Sequence, residues 1–465
     1  MTWSAVRAPL ALAVLAVAGL PAANSLSPGV EHDTWWHLRV GRFVAETGAV
    51  PRTDPFSRMG RDHPVPWRAY SWLYEYALFR VYQAAGLPGI VWARTALAAG
   101  SAAAVFWLWF RRAGVTPAAV VYAAPVAVTL MPLATERPWH FSIAFTAVTA
   151  GVVAAVRDGA PVRRAVWLPL LYTAWANLHI QFVLGWLVLG AACLFPGRAS
   201  RAALVGLTAA CVAATLVNPY HAGLFRVIWE YATQAAPGKL VQELAPPEPF
   251  SAWSLAGLVL LGQGAVTVAR RRPPDWFEVV LLAAAAAVAL KMSRDIWFVA
   301  VAAAVVRRPD GPAGPLWPVP VLVAAAFVVA RLLDSAGLTR STGYDAAQVA
   351  KYPVRAVEFV RRESPPGPLF NNFDWGGYLI WAAPEYPVSI DGRTNLYGSE
   401  RLVRSFETWG TEAGWEKDPD FLTANLVVAQ PDRVLTGVLR GQPDRWRVAY
   451  EDGVAVVFTR KRPGE

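Results

Sequence analysis

Two cysteines in 465 residues exclude a disulfide-stapled scaffold, and since Cys193 and Cys211 both sit inside apolar segments they make no metal knuckle either. Paired-thiol redox chemistry has no support. Charge is scarce as well. Asp, Glu, Lys and Arg supply 16% of the chain, against roughly 25% in soluble domains. The net charge of +10 is basic, yet the arginines come in short clusters between apolar runs rather than along the single basic stripe that nucleic-acid binding demands. No nucleic-acid partner is expected. No internal repeat is visible, and no spacing of His, Cys, Asp and Glu amounts to a metal motif, so a metal site stays unassigned.

What the chain has is apolar length. It is 55% hydrophobic and carries 22 Trp, with a mean hydropathy of +0.33. Many of the Trp fall near the ends of apolar runs, where indoles favour the headgroup layer. The Ala-rich, Arg-over-Lys, Pro-rich background fits a bacterium with a GC-rich genome. A hydrocarbon core needs about 20 apolar residues per helix. The candidate runs are approximately 8–25, 88–110, 116–133, 139–156, 165–178, 180–195, 202–217, 252–269, 275–290, 293–306 and 316–334. The expected fold class is therefore an α-helical polytopic membrane protein of about 11 spans, residues 1–335, with a small C-terminal α/β domain at 345–465.

Lys and Arg in short loops concentrate on the cytoplasmic side. With the N-terminus inside, Arg111-Arg112, Arg157 with Arg163-Arg164, Arg198 with Arg201, Arg270 to Arg272 and Arg307-Arg308 all fall inside. The outer segments are then 26–87, 134–138, 218–251 and everything after about 335, so the C-terminal domain is expected outside a bacterial inner membrane. Arg7, the apolar stretch after it and Ala22-Ala23 also match the three regions of a cleaved signal peptide. Cleavage would leave the remaining topology unchanged.

The first outer loop opens with Glu31-His32-Asp33-Thr34-Trp35-Trp36-His37, after which Trp36, Val40, Phe43 and Val44 recur at helical spacing. With Gly48 as a stop, this predicts a short amphipathic helix in the membrane surface. Trp72, Tyr76, Phe79 and Tyr82 predict a second. Asp33 has two compatible readings, the N-cap of that helix and a general base toward an acceptor hydroxyl. Asp54, followed by Pro55, reads as a structural turn residue.

Other polar groups fall at the expected outer ends of spans: Asn177 and His179, Asn218 and His221, and Lys291, Arg294 and Asp295. Each either packs as a satisfied interfacial group or faces a cavity as a functional one. Arg294 is the preferred phosphate partner, with a self-neutralising pair to Asp295 as the alternative. In the C-terminal domain Val354 to Arg362 predicts a helix, and Pro387 to Ile390, Leu426 to Ala429 and Val454 to Thr459 predict strands. The aromatic, acidic and Gly-rich stretch Asn371 to Trp381, with Asp391-Gly392-Arg393 after it, predicts a ligand-facing loop.

One span, then a long outer loop that opens with an acidic residue and holds surface helices, then a Trp-rich series of spans, resembles the GT-C superfamily of polyprenyl-phosphate-sugar-dependent glycosyltransferases. The likeness covers roughly residues 1–335 and points to bacterial members related to protein mannosyltransferases and lipid A aminoarabinose transferases. It implies inverting transfer with Asp33 as catalytic base. It also implies a second acidic residue in the loop joining the third and fourth spans, where Glu136 stands and would assist a metal ion or the lipid phosphate. Arg137 beside it, Arg294, His179 and His221 would hold donor and phosphate, with a divalent ion as a possible further source of charge.

The stretch around Asp374-Trp375-Gly376-Gly377-Tyr378 is similar to the Trp-Trp-Asp-Tyr-Gly signature of single-subunit oligosaccharyltransferases, with Phe373 replacing one Trp. That likeness implies that Asp374, Trp375, Tyr378, Asp391 and Arg393 read an acceptor. The expected partners are a polyprenyl-phosphate sugar, the bilayer, and an envelope glycan, lipid or protein acceptor. Two other classes remain open: a non-catalytic anchor or sensor whose C-terminal domain binds glycan, and a transporter or flippase for a lipid-linked glycan.

Overall fold

The computed structural model describes residues 19–114, 123–234, 236–307 and 341–462. The predicted spans at 8–25 and 116–133 lie partly, and that at 316–334 wholly, outside the described residues. Two compact units form from separated segments: Met1–Ser27, Gly89–Leu224 and Val241–Leu338 make the first, and Pro28–Pro88, Phe225–Leu240 and Thr339–Glu465 the second. The sequence reading drew one boundary near residue 335, whereas the fold gathers most of the first outer loop with the C-terminal segment.

The first unit is helical. Among the described residues, Trp72–Ala113, Trp139–Arg157 and Ala252–Ala269 are the three helices long and apolar enough to cross a membrane. The first of these is broken at Gly86, whose φ of 61° no ordinary side chain favours, just before Pro88. The expected surface segment at Trp72 to Tyr82 lies before this break, in the second unit, and the second span follows it, in the first. Several other apolar runs form shorter helices: Leu168–Leu178, Phe182–Leu194, Arg201–Ala214, Trp276–Lys291 and Trp297–Val306. Ten residues rise only about 15 Å, half of a hydrocarbon core about 30 Å thick.

Burial separates these helices by role. Every residue of Trp297–Val306 is buried, and it packs against Ala252–Ala269, Trp276–Lys291 and Trp139–Arg157, so a helix apolar all round sits at the centre of the bundle. Other helices of the unit instead turn large apolar side chains outward, among them Leu170, Leu194, Leu258 and Leu290. A soluble protein does not expose that much apolar surface without a partner. At one end, polar contacts join four loops predicted to lie inside. Arg112 pairs with Asp158 at 2.6 Å, Arg157 with Asp275 at 2.9 Å and Arg271 with Glu278, while Arg157 Nε donates to the Phe195 carbonyl at 2.6 Å.

The second unit is α/β. Its sheet has the order β1-β2-β4-β3, from β1 (Leu369–Asn371), β2 (Leu426–Ala429), β3 (Trp446–Glu451) and β4 (Val456–Arg460). β1 and β2 are parallel and the other two pairs antiparallel. β2 is buried along its whole length, which is why it reads as a continuous apolar run. Phe370, Trp409, Phe421, Leu439, Trp446 and Phe458 fill the core around the sheet. The predicted strand at Pro387 to Ile390 is not part of the sheet; it makes an isolated bridge to Ser57 through Val388. β3 was missed because its pattern is mostly exposed at an edge.

The helix Thr34–Thr47 forms where expected and ends at Gly48 with φ 66°. Its apolar face is not left for lipid, since Trp35, Trp36, Val40 and Val44 are buried and the helix packs against Phe373–Ala382. That second helix corrects another expectation: the aromatic, Gly-rich stretch is no open loop. Asn372 caps it by accepting from the Trp375 N–H at 3.0 Å. Its two glycines permit close packing, because a Cβ at Gly376 would strike the Ile390 carbonyl and one at Gly377 would crowd the His32 carbonyl.

Candidate functional site

In the second unit the chemistry gathers around Asp33. Asp33 occupies the N-cap position of Thr34–Thr47, but its side chain makes no capping hydrogen bond. The half-buried carboxylate lies instead against Gly392, where any Cβ would run into it. Only glycine leaves room for that approach.

Gly392 is flanked by a buried charge cluster. Arg393 donates to both Asp391 oxygens at 2.8 and 2.7 Å and to Asp54 Oδ1 at 2.6 Å. Its guanidinium carbon lies 4.7 Å from the Trp67 ring centroid and 5.3 Å from that of Phe56. Asp54 also accepts from the Ser57 hydroxyl and from the Phe56 N–H at 3.0 Å, the turn expected of an Asp before Pro. The Tyr397 hydroxyl donates to Asp391.

Burial alone would push the Asp54 carboxyl up, but the Arg393 charge and the Ser57 and Phe56 donors outweigh it and hold the group below its ordinary value. Burial and then the Asp391 charge push the Tyr397 phenol well above its usual range. Burial works against the Arg393 charge, and the two carboxylates more than reverse that effect.

Asp391 and Arg393, expected to touch an acceptor, are therefore turned inward and engaged with each other, Asp54 and Tyr397. Trp375 and Tyr378 are buried as well. The first donates to the Lys351 carbonyl at 3.2 Å and the second stacks on Tyr352 at 5.0 Å. Burial raises the Tyr378 phenol to about 12. Asp374 stays at the surface in a 3.1 Å pair with Arg433. Four of the five are thus packed inward, and Asp374 is the one at the surface.

Sequence reasoning missed one pair. His37 Nδ1 lies 3.0 Å from Glu75 Oε1, with both side chains almost wholly buried. His37 follows Asp33 by one helical turn and so shares its face. Among the described residues, the second Glu75 oxygen, Oε2, has no hydrogen-bond partner. The available signal was a His four residues after the acid and a lone Glu at the start of an aromatic helix.

The first unit holds the other predicted residues. Glu136 is buried and pairs at 3.0 Å with Arg94, from a distant helix. Arg137 and Arg294 instead share one carboxylate, Glu243, at 3.9 and 3.3 Å. Asp295 accepts from Gln181 Nε2 at 2.6 Å and lies within electrostatic reach of Arg294.

His179 is buried within electrostatic reach of both arginines. It bonds to Ser142 Oγ at 2.8 Å, which in turn accepts from Trp175 Nε1 at 2.7 Å. Asn177 bonds across to the Val217 carbonyl at 2.8 Å. His221 is exposed, at φ 48°, and its Nδ1 lies 3.2 Å from the Leu216 carbonyl; this is a local turn contact. Among the described residues no three His, Cys, Asp or Glu side chains gather as they would for a metal ion.

No protein-family model matches the chain, and no curated protein matches it. Among solved structures, the fold is similar to that of ArnT from Cupriavidus metallidurans bound to undecaprenyl phosphate. The identity is 14%, the match covers 97% of each chain and the TM-score is 0.47. It is equally similar to the apo state of that protein, at 15% identity over 98% of each chain with the same TM-score of 0.47.

Proposed function

We propose that the chain is a membrane glycosyltransferase of the GT-C type that moves a sugar from a polyprenyl-phosphate donor to an envelope glycan, lipid or protein on the outer membrane face. The observation that carries this reading is the setting of Asp33. It is a half-buried carboxylate at the start of Thr34–Thr47, so close to Gly392 that a Cβ there would strike it. A base already in position needs little reorganisation when the proton moves.

In the proposed reaction, Asp33 takes the proton of an acceptor hydroxyl or amide as that atom attacks the anomeric carbon of the donor. The bond from that carbon to the phosphate oxygen breaks, the electron pair leaves with the polyprenyl phosphate, and a single displacement inverts the centre. A phosphate leaving group needs charge stabilisation more than a proton. Arg137 and Arg294, both beside Glu243, are assigned that task, since guanidinium forks match phosphate oxygens. The Glu136–Arg94 pair is assigned a positioning role, since both partners are buried. His37 and Glu75 are assigned to orient the turn that carries Asp33.

Envelope glycans and polyprenyl-phosphate sugars, compared by mass spectrometry in a null strain, test the proposal. Wild type should restore one glycan modification and clear its accumulated lipid donor, and Asp33→Asn should do neither. Full rescue by Asp33→Asn would reduce Asp33 to a helix-start residue and move the function to glycan binding or transport.

A further inference from the structure

Arg112 and Arg157, at the end of the first unit where the arginine doublets gather, are each paired with a carboxylate. Their neighbours Arg111 and Arg164 are not: both are exposed, and among the described residues neither has a carboxylate partner. These two guanidiniums line a half-open groove of about 190 Å³ whose other walls include Trp107, Gly151, Val152 and Ala155. The floor is apolar. Gly151 lets the Trp107 ring lie flush against the helix Trp139–Arg157, since a Cβ there would come within 2.9 Å of the ring. Arg111 follows Trp107 by one turn, and its guanidinium sits 5.1 Å from that ring. Just past Arg164, Val166, Trp167 and Leu170 face outward, an apolar and indole surface suited to a membrane boundary.

We infer that this groove binds one anionic phospholipid, its headgroup phosphate held between Arg111 and Arg164 and the start of an acyl chain laid along Trp107, Val152 and Ala155. Guanidinium forks match phosphate oxygens geometrically, and basic pockets between spans are the usual receptors of anionic headgroups on the cytoplasmic side. An apolar groove under two cations suits a lipid better than a free anion, which would leave the floor unused, and better than a nucleic acid, which needs a longer basic track. The inference rests on the chain lying in a membrane and not on which reaction it performs.

The full chain, purified in a neutral detergent, is titrated with phosphatidylglycerol and with phosphatidylcholine and the retained lipid counted by native mass spectrometry. Wild type should retain one phosphatidylglycerol with a preference of about tenfold or more over phosphatidylcholine. Arg111→Gln with Arg164→Gln should erase that preference. Ala155→Trp, which fills the groove and keeps both charges, should lower retention comparably, while inorganic phosphate at millimolar concentration should not compete. Thermal unfolding of each variant, compared with wild type, separates loss of the site from loss of the fold. Equal retention of the two lipids by wild type, or phosphatidylglycerol retention unmoved in both folded variants, overturns the inference. Displacement by inorganic phosphate alone makes the site a bare anion site and overturns it as well. Loss of glycosyl transfer in Asp33→Asn leaves all these readings unchanged, so the two proposals fail separately.

Discussion

Replacing Arg393 by Met keeps an apolar stem between Phe56 and Trp67 but leaves Asp391 and Asp54 facing each other without a cation. Both carboxylates are essentially without solvent exposure, so neither gains hydration in exchange. Removing one partner of a buried ion pair typically costs about 3–5 kcal/mol, and Arg393→Met should destabilise the protein by that order in denaturant unfolding. A loss below about 1 kcal/mol, the range of an exposed pair, would mean that water reaches the cluster. The sequence marked Asp391 and Arg393 as candidates from their residue types. It could not say that they face inward, because their partner Asp54 lies 339 positions away.

Among elements, the turn from Asp54 to Ser57 carries the pH dependence. Asp54 sits below its ordinary value when folded, while in the unfolded chain an Asp titrates near about 3.9. Its contribution to stability is therefore complete above that value and is lost as pH falls through the lower, folded one. Unfolding midpoints measured from neutral pH down to about 3 should fall with acidity in wild type. They should fall less steeply in Asp54→Asn, which starts less stable and has no such carboxylate to protonate. Parallel profiles would assign the acid sensitivity elsewhere.

Helix boundaries within this scale were partly legible. Gly48 stops the first surface helix because left-handed backbone favours glycine, and Val354–Glu363 and Leu426–Ala429 form where periodicity and β-branched residues predicted them. The stretch Phe373–Ala382 was misread as a loop. Its glycine pair signals either a turn or a close approach, and only the neighbouring Ile390 and His32 carbonyls show which.

For the whole molecule, the arginine pattern predicts a testable orientation. In a chain with Cys193 and Cys211 replaced by Ala, a cysteine in place of exposed Asp444 should react with a membrane-impermeant maleimide added to the outer face. A cysteine in place of exposed Arg163 should react only after permeabilisation. The reverse pattern would put the C-terminal segment inside and remove the outer-face reaction from consideration.

The sequence alone determined the apolar helical character, the clustering of arginine doublets and the α/β character of the C-terminal segment. Each follows from composition, local period or loop charge, which neighbouring residues carry by themselves. Tertiary structure alone decided that Pro28–Pro88 and Phe225–Leu240 fold as one unit with the C-terminal segment, that Glu136 pairs with distant Arg94, and that Asp33 rests on Gly392. These are choices among many chemically equivalent partners. Charge and size permit several pairings, and only the packing that brings distant segments within hydrogen-bond range selects one.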